Sequence, residues 1–211
     1  MNVSNNIISE DLDHIFNSTA SMWNELRGKQ LFLTGATGFF GTWLLESFIE
    51  ANKKLDLNAK VVVLTRNLDA FQKQSPHICS NRAIRFHVGD VRNYEFPKGT
   101  FSHIIHGATT SATETFNNQD PLIKYDTIAE GTRHTLEFAV YCNCEKFLLT
   151  SSASAYGKQP LEISHISEDF NGAPYTTDKN FDHSVLGEAK RTSELLTTIY
   201  SDKYGIETKI A

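Results

Sequence analysis

The sequence predicts an α/β protein built on a doubly wound parallel sheet, with helices on both faces in three layers. From residue 29 onward, short apolar runs alternate with helical patterns, which is typical of a parallel sheet covered on both sides. One apolar run also leads directly into three glycines spaced three residues apart. The predicted strands are Gln30–Thr34, Lys60–Thr65, Ile84–Val88, His103–His106, Lys146–Ser151 and Glu207–Ala211.

Helices are predicted between these strands and ahead of the first one. Residues 1–28 form an expected helical extension, with Ser9 as the cap of a helix over Glu10–Phe16 and a second helix over Ala20–Arg27. Residues 29–211 form the expected main domain. Its predicted helices, the last two with one apolar face, are Thr42–Asn52, Leu68–Gln74, Pro121–Cys142 and Gly187–Tyr204.

Composition and charge exclude several classes of protein. The 211 residues are 40% hydrophobic, which is enough for the chain to bury one sizeable core. The formal net charge is −5. Because no run of Lys and Arg exceeds two residues, we expect no nucleic-acid partner. No apolar run approaches the ~18 residues that a membrane helix needs. The segment Met1–Glu10 does not resemble a signal peptide, so we predict a cytoplasmic protein with no membrane partner.

The histidines and cysteines do not follow the spacing of a metal site. The cysteines are too few and too irregularly spaced for a zinc site or a disulfide framework. We therefore predict no metal. The residues considered are His103, His106, His165, His183, Cys79, Cys142 and Cys144.

The segment from Leu31 to Gly41 is the most informative in the chain. Gly35 permits a positive φ at the turn after the strand, and Gly38 lets main-chain N–H groups approach a phosphate without a Cβ in between. Gly41 allows the following helix to pack closely. The positive end of that helix is directed at the same point. We therefore predict a pyrophosphate site for a dinucleotide, in preference to an ordinary tight turn.

Four stretches follow in a recognisable order: Thr34–Gly41, Gly89–Val91, His106–Thr109 and Leu149–Gly157. Their order and spacing resemble the extended short-chain dehydrogenase/reductase superfamily, and within it the NAD(P)-dependent nucleotide-sugar epimerases and dehydratases. The resemblance implies a Rossmann-type fold, an NAD or NADP cofactor and a nucleotide-sugar substrate. All four stretches lie at the carboxyl ends of predicted strands, where open α/β sheets bind ligands.

The resemblance also implies roles for individual residues. Asp90 and Val91 would frame the adenine, Ala108 would lie along the cofactor, and Ser152 would hydrogen-bond the reacting oxygen of the sugar. For Asp90 and Ser152 taken alone, a turn residue and a local cap are the alternatives. The candidate cofactor-binding residues are Gly35, Thr37, Gly38, Phe39, Phe40, Gly41, Arg66, Asp90, Val91, Gly107, Ala108, Thr109, Thr150 and Lys190.

Cofactor choice depends on the end of the second strand. An acidic side chain there would accept hydrogen bonds from the ribose hydroxyls of NAD. The sequence places Arg66 there, and a guanidinium can pair with the 2′-phosphate of NADP. We therefore favour NADP over NAD. Two alternatives remain open, a solvated surface arginine and an approach of Asp69 to the ribose.

The catalytic pattern of the family is interrupted in this chain. The family uses a tyrosine base four residues before a lysine on a helix, since positions i and i+4 share a face. Lys190 matches that lysine, but Leu186 occupies the tyrosine position and cannot exchange a proton. Tyr175 has the same spacing to Lys179 and is a possible substitute base. We favour the Leu186 alignment because an apolar helical face follows Lys190.

The resemblance to the family also bears on the type of reaction, on the C-terminal part of the protein and on its oligomeric state. Thr150, Ser151 and Ser152 supply only hydroxyls, which favours an epimerase or a 4-keto reductase, with hydride transfer at the sugar C4, over a dehydratase. The resemblance implies a smaller C-terminal lobe that grips the sugar, and since the sequence stops at Ala211 we expect that lobe to be missing or truncated here. Family members commonly pair through the helices matching Pro121–Cys142 and Gly187–Tyr204, so we expect a homodimer. The rival hypothesis is a non-catalytic dinucleotide-binding sensor or scaffold.

Overall fold

The computed structural model describes residues 3–110, 120–177 and 181–211. Six strands form one parallel sheet in the order β3-β2-β1-β4-β5-β6. This is the predicted Rossmann-type doubly wound sheet, and its order reverses between β1 and β4, where such sheets bind ligands. The strands are β1 Gln30–Thr34, β2 Lys60–Thr65, β3 Ile84–Val88, β4 His103–His106, β5 Lys146–Leu149 and β6 Glu207–Ile210. β5 and β6 end slightly earlier than expected.

Helices cover both faces of the sheet. In chain order they are α1 Val3–Trp23, α2 Phe39–Lys54, α3 Leu68–Gln74, α4 Pro76–Cys79, α5 Pro121–Tyr141 and α6 Phe181–Tyr204. Two short 3-10 turns cover Asn24–Leu26 and Ala153–Tyr156. Of the helices in the described ranges, none combines the length and apolar character that a bilayer span requires.

The core lies in two layers, one on each face of the sheet. Alternate residues of a strand point to opposite faces, so Phe32 enters one layer while Leu31 and Leu33 enter the other. In the first layer Phe32 packs edge-on against Phe138 of α5, with ring centroids 4.8 Å apart. In the second layer Leu45 of α2 is fully buried. The sheet is thus held rigidly from both sides beneath its carboxyl edge.

The N-terminal extension differs from the prediction of two short helices. It is one continuous helix, α1, and Ser9 lies inside it rather than at its cap. The polar residues that suggested a break are accommodated within the helix: Thr19 Oγ1 donates to the carbonyl of Ile15 at 2.7 Å, and Trp23 Nε1 donates to Thr19 Oγ1 at 2.9 Å. Phe16 and Trp23 pack against the second core layer, and this tertiary packing keeps the helix continuous.

Two helices begin earlier than predicted, and one short helix was not predicted. α2 begins at Phe39 rather than Thr42, with Gly38 as its N-cap in an extended conformation. α6 begins at Phe181, before the predicted Gly187. The short helix α4 was not predicted at all. Pro76 occupies its first turn, where a missing N–H costs nothing.

Candidate functional site

A cavity of about 600 Å³ opens at the carboxyl edge of the sheet. The loops after β1 to β5 line it, together with one face of α5 and one face of α6. It brings together all the sequence-predicted site residues except Tyr175. Those lining residues are Gly35, Thr37, Gly38, Phe39, Phe40, Gly41, Arg66, Asp90, Val91, Gly107, Ala108, Thr109, Thr150, Ser152, Leu186 and Lys190.

The glycine loop after β1 is shaped by backbone contacts that exclude side chains. Gly35 has φ +72°, which confirms the predicted positive φ, and a Cβ there would lie 2.3 Å from the carbonyl oxygen of Gly107. At Gly41 a Cβ would lie 2.2 Å from the Cα of Ala36, so this glycine lets α2 pack directly on the loop. Gly38 meets only the carbonyl oxygen of Gly35, at 3.3 Å. The space beside Gly38 is open towards the cavity.

The N-terminus of α2 is directed into the cavity. Because the helix begins at Phe39, the N–H groups of its first turn have no partners within the helix. No acidic side chain occupies that turn. The rings of Phe39 and Phe40 are 75% and 81% exposed and pack edge-on against each other. The backbone at this point can therefore accept an anion.

Charged groups mark the end of the cavity beside β2 and β3. Arg66 follows β2 directly and lines the cavity, whereas Asp69 does not. Asp90 accepts hydrogen bonds from Nε and Nη2 of Arg92, each at 2.9 Å. The hydrogen bond from Arg92 lowers the pKa of the Asp90 carboxyl. Asp90 is thus an ionised acceptor held in a fixed orientation, rather than only a turn residue.

Lys190 lies at the opposite end of the cavity and is 4% exposed. Its ammonium donates to the carbonyl oxygen of Thr150 at 2.6 Å. Burial lowers the pKa of Lys190 to about 8, against the opposing charge of Glu194. Leu186 lines the same cavity one helical turn earlier. The two residues therefore line the same cavity from one face of α6, an apolar side chain in the first position and a buried lysine in the second.

The two serines after β5 have different partners. The hydroxyl of Ser151 donates a short hydrogen bond to the carboxylate of Glu194. The Oγ of Ser152 accepts from the N–H of Ser154 at 3.2 Å. Ser152 therefore caps the 3-10 turn, which was the alternative role considered for it in the sequence analysis. Its own hydroxyl proton is not used in that bond. Ser152 can therefore donate to a ligand while it caps the turn.

Close packing at Gly187 fixes the first part of α6. A Cβ on Gly187 would lie 2.4 Å from the carbonyl oxygen of Ser154 and 2.4 Å from Pro174 Cγ. Arg191 reinforces this contact, because its Nη1 donates to the carbonyl of Gly172 at 2.7 Å. The helix that carries Leu186 and Lys190 is thereby held against the loop that carries Ser152.

Tyr175 is not brought to the cavity. Its side chain is 72% exposed, and its carbonyl accepts a hydrogen bond from Ser184 Oγ at 2.7 Å. Lys179, its partner in the alternative spacing, lies outside the described residues. The geometry therefore favours Leu186 and Lys190 over Tyr175 as the pair matching the family's motif.

A buried hydrogen-bond chain supports the floor of the cavity. The ring of His106 is 1% exposed, with Nδ1 2.9 Å from Thr34 Oγ1 and Nε2 3.1 Å from Thr132 Oγ1. Thr34 Oγ1 also accepts from the N–H of Ala108 at 3.2 Å, and Thr132 continues to Ser193 Oγ at 2.9 Å. Burial, together with the charge of Lys190, lowers the pKa of His106 to about 3. The imidazole is therefore neutral and structural.

Two features of the site were missed in the sequence. Glu194 lies one helical turn beyond Lys190, and the sequence analysis did not predict its contact with Ser151. Lys124 lines the cavity and is 5% exposed. Its position could have been found, because Lys124, Thr127, Ile128 and Gly131 repeat at the spacing of one helix face and all are buried. In the ranges that the structure describes, no cluster of three or more potential ligands could hold a metal ion.

The fold and the cavity define a Rossmann-type α/β protein with a ligand site at the carboxyl edge of its sheet. Comparison with known families gives a more specific assignment. The model of the NAD dependent epimerase/dehydratase family matches residues 31–211. The chain belongs to this family.

Individual relatives are similar over part of their length. A UDP-glucose 4-epimerase of Pisum sativum is 29% identical over 152 residues, covering 67% of this chain and 41% of that protein. A UDP-glucose 4-epimerase of Neisseria meningitidis serogroup C is 24% identical over 173 residues, covering 77% of this chain and 49% of that protein. The chain thus spans less than half the length of these curated relatives.

Solved structures show the same fold. The UDP-glucuronic acid 4-epimerase from Bacillus cereus in complex with NAD has a TM-score of 0.69 at 21% identity, covering 86% of this chain and 55% of that one. A dTDP-glucose 4,6-dehydratase from Bacillus anthracis in complex with NAD has a TM-score of 0.64 at 15% identity, covering 86% and 53%. At these identities the likeness concerns the fold alone.

Proposed function

We propose that this chain is the cofactor-binding part of a nucleotide-sugar oxidoreductase. Its leading activity is hydride transfer at the sugar C4, as in an epimerase or 4-keto reductase. One observation supports it most strongly: a cavity that joins the glycine loop at Gly35–Gly41 to Ser152 and Lys190. Relatives named as 4-epimerases support the same reaction class.

The cavity fits a nicotinamide dinucleotide. Gly38 leaves space for a phosphate, and the first turn of α2 offers N–H groups to it. Asp90 offers an ionised acceptor at one end, and Lys190 offers a buried donor at the other. When bound, the nicotinamide accepts and returns a hydride.

The protein's own residues would orient the sugar rather than accept its proton. Ser152 would donate a hydrogen bond to the reacting oxygen, and Lys190 would bind the cofactor ribose. Leu186 can neither donate nor accept a proton. Loss of a positioned general base typically costs about 10²- to 10⁴-fold in rate. We therefore expect slow turnover in the natural protein, with cofactor binding intact.

Substitution at position 186 tests the hypothesis that the protein is an oxidoreductase without its usual general base. The protein and its Leu186→Tyr variant would be assayed in the natural full-length chain with UDP-, dTDP-, GDP- and CDP-sugars. Turnover confined to the variant, or at least about 10²-fold faster in it, would support an oxidoreductase weakened at one position. A Leu186→Phe variant is the matched control, because it adds the ring without the hydroxyl and should remain slow.

A second candidate function is supported by Leu186 itself. A dinucleotide-binding sensor or scaffold needs the glycine loop but no base. It would bind NAD(H) or NADP(H) as tightly as an enzyme does. In that case neither the natural protein nor Leu186→Tyr would turn over any nucleotide sugar, and only binding would be measured.

Arg66 supports a preference for NADP. It lines the cavity directly after β2, where the adenosine ribose is expected, and a guanidinium there can pair with a 2′-phosphate. The related structures are described with NAD, so the preference is a specific claim about this chain. Fluorescence titration should show tighter binding of NADPH than of NADH, with Arg66→Asp reversing the order. Equal affinities for NADPH and NADH would contradict the proposed role of Arg66 in cofactor choice.

The exposed faces of α5 and α6 support a homodimer. Tyr141, Leu195, Ile199 and Tyr204 are 60%, 60%, 45% and 45% exposed, and they place large side chains on the outer surface of these two adjacent helices. Burial of these side chains between two copies would remove them from water. Sedimentation at micromolar concentration should detect a dimer, and Leu195→Glu should dissociate it. A monomer at all concentrations would contradict this proposal.

A further inference from the structure

Lys124 is a largely buried lysine whose ammonium group has no partner among the described residues. It lies on α5, is 5% exposed and lines the cavity. Within the described residues, no hydrogen bond or ion pair reaches its ammonium group. Lys190, the other buried lysine of the cavity, donates to the carbonyl of Thr150 at 2.6 Å. Lys124 therefore differs from Lys190 in that nothing in the described part of the protein binds its ammonium group.

Helix α5 holds Lys124 in this position. Pro121 begins the helix, and the Asp120 side chain caps it by accepting from the N–H of Leu122 at 2.9 Å. Immediately after Lys124, Tyr125 Oη lies 3.2 Å from Thr192 Oγ1 of α6. The backbone on both sides of Lys124 is thus fixed, and its side chain is directed into the cavity rather than into solvent.

The side chain of Lys124 is largely buried, and no charge in the described residues compensates its ammonium group. Transfer of a charge out of water is costly unless another charge or a set of hydrogen bonds compensates it. Asp90 is the only acidic residue among the described residues that line the cavity, and Arg92 already binds both of its carboxylate oxygens. Among the described residues no free acidic group is left to balance Lys124, and a bound anion in the cavity would supply that charge.

We propose that Lys124 binds a diphosphate oxyanion of the ligand that fills this cavity. The inference rests on the proposed function, since both the dinucleotide and the nucleotide sugar carry a diphosphate. Lys124 is then a binding residue beyond the glycine loop. It strengthens ligand binding at the cost of stability in the ligand-free protein.

Substitution of Lys124 by methionine separates these two effects. Methionine keeps an unbranched side chain that is one atom shorter and removes its charge. Calorimetric titrations would measure the affinity for NAD⁺ in one arm and for UDP-glucose in the other. We expect the dissociation constant of one ligand to rise about tenfold or more, the usual effect of losing a charge-assisted hydrogen bond. The melting temperature without ligand should stay the same or rise.

Lys53→Met is the matched control. Lys53 is exposed in the last turn of α2, so its loss changes the net charge equally without touching the cavity. The arm that responds to Lys124→Met identifies which diphosphate is bound. If the protein binds NAD⁺ and both variants bind both ligands equally well, the role of Lys124 is refuted while the proposed function stands. If the unaltered protein binds neither ligand, both proposals fail.

A second measurement uses the unaltered protein in case Lys124→Met does not fold. Acetylation with a water-soluble reagent, mapped by mass spectrometry, should modify Lys124 slowly in the free protein. Saturating NAD⁺ or UDP-glucose should slow it further by about tenfold, while Lys53 is modified at the same rate throughout. Unchanged acetylation of Lys124 with both ligands would overturn the proposal.

Discussion

Replacing His106 with glutamine should flatten the dependence of stability on pH below neutrality. The ring of His106 is buried between the hydroxyls of Thr34 and Thr132, and its pKa is lowered from 6.5 to about 3. In the unfolded chain His106 therefore binds a proton near pH 6.5, whereas in the folded protein it stays neutral at that pH. The stability that His106 contributes is complete above pH 6.5 and is lost as the pH falls towards 3.

The size of the effect follows from linkage. One proton bound only by the unfolded chain changes the free energy of unfolding by about 1.4 kcal/mol per pH unit. From pH 6.5 down to about pH 4.5, His106 should therefore cost the protein about 3 kcal/mol. Glutamine does not titrate, so the variant lacks this contribution although it is less stable at neutral pH.

Urea unfolding at about pH 7.5 and about pH 4.5 measures the difference. The free energy of unfolding should fall by about 3 kcal/mol more in the unaltered protein than in His106→Gln. His14→Gln is the control, since His14 is exposed and should leave the pH dependence unchanged. An equal fall in the unaltered protein and in His106→Gln would mean that His106 titrates normally, and the buried network described here would be wrong.

Two further predictions concern the cavity. Gly35→Ala should lower the free energy of unfolding in urea by at least about 2 kcal/mol more than Gly28→Ala. Both glycines have positive φ, but a Cβ would meet a backbone atom, at 2.3 Å, only at Gly35. Equal losses of stability in the two variants would refute the steric argument. The unaltered protein should gain about 3 kcal/mol relative to Lys190→Met between pH 8 and 10.5, since the unfolded chain keeps a proton that the folded Lys190 releases; parallel pH profiles would show that Lys190 is not desolvated.

Much of the fold could be predicted because its signals are local. Each of the six strands has its ends within two residues of the predicted ends. Buried parallel strands are short apolar runs bounded by turns, and such runs are visible in the sequence. The sharp turn at Gly35 was also predictable, because only glycine adopts its φ freely. The start of α2 was misplaced because Gly41 looks unfavourable inside a helix. Its role there is tertiary, since a larger residue would meet Ala36.

The parts that were missed depend on contacts distant in sequence. Helix α1 was divided at a polar stretch, although packing of Phe16 and Trp23 on the core keeps it continuous. The spacing of Lys124 on α5 indicates its burial, but that it lines the cavity depends on where α5 packs. In the same way, nothing local in the sequence predicts that Ser151 binds Glu194 and leaves Ser152 available.

The contact between Gly35 and Gly107 makes the two central loops one mechanical unit. The N–H of Gly107 donates to the carbonyl of Thr34 at 3.1 Å, so hydrogen bonding and bare backbone contact join the same two loops. Neither loop can shift without carrying the other. A side chain at Gly35 would press on the backbone of Gly107 in the middle of the sheet and would displace both loops together.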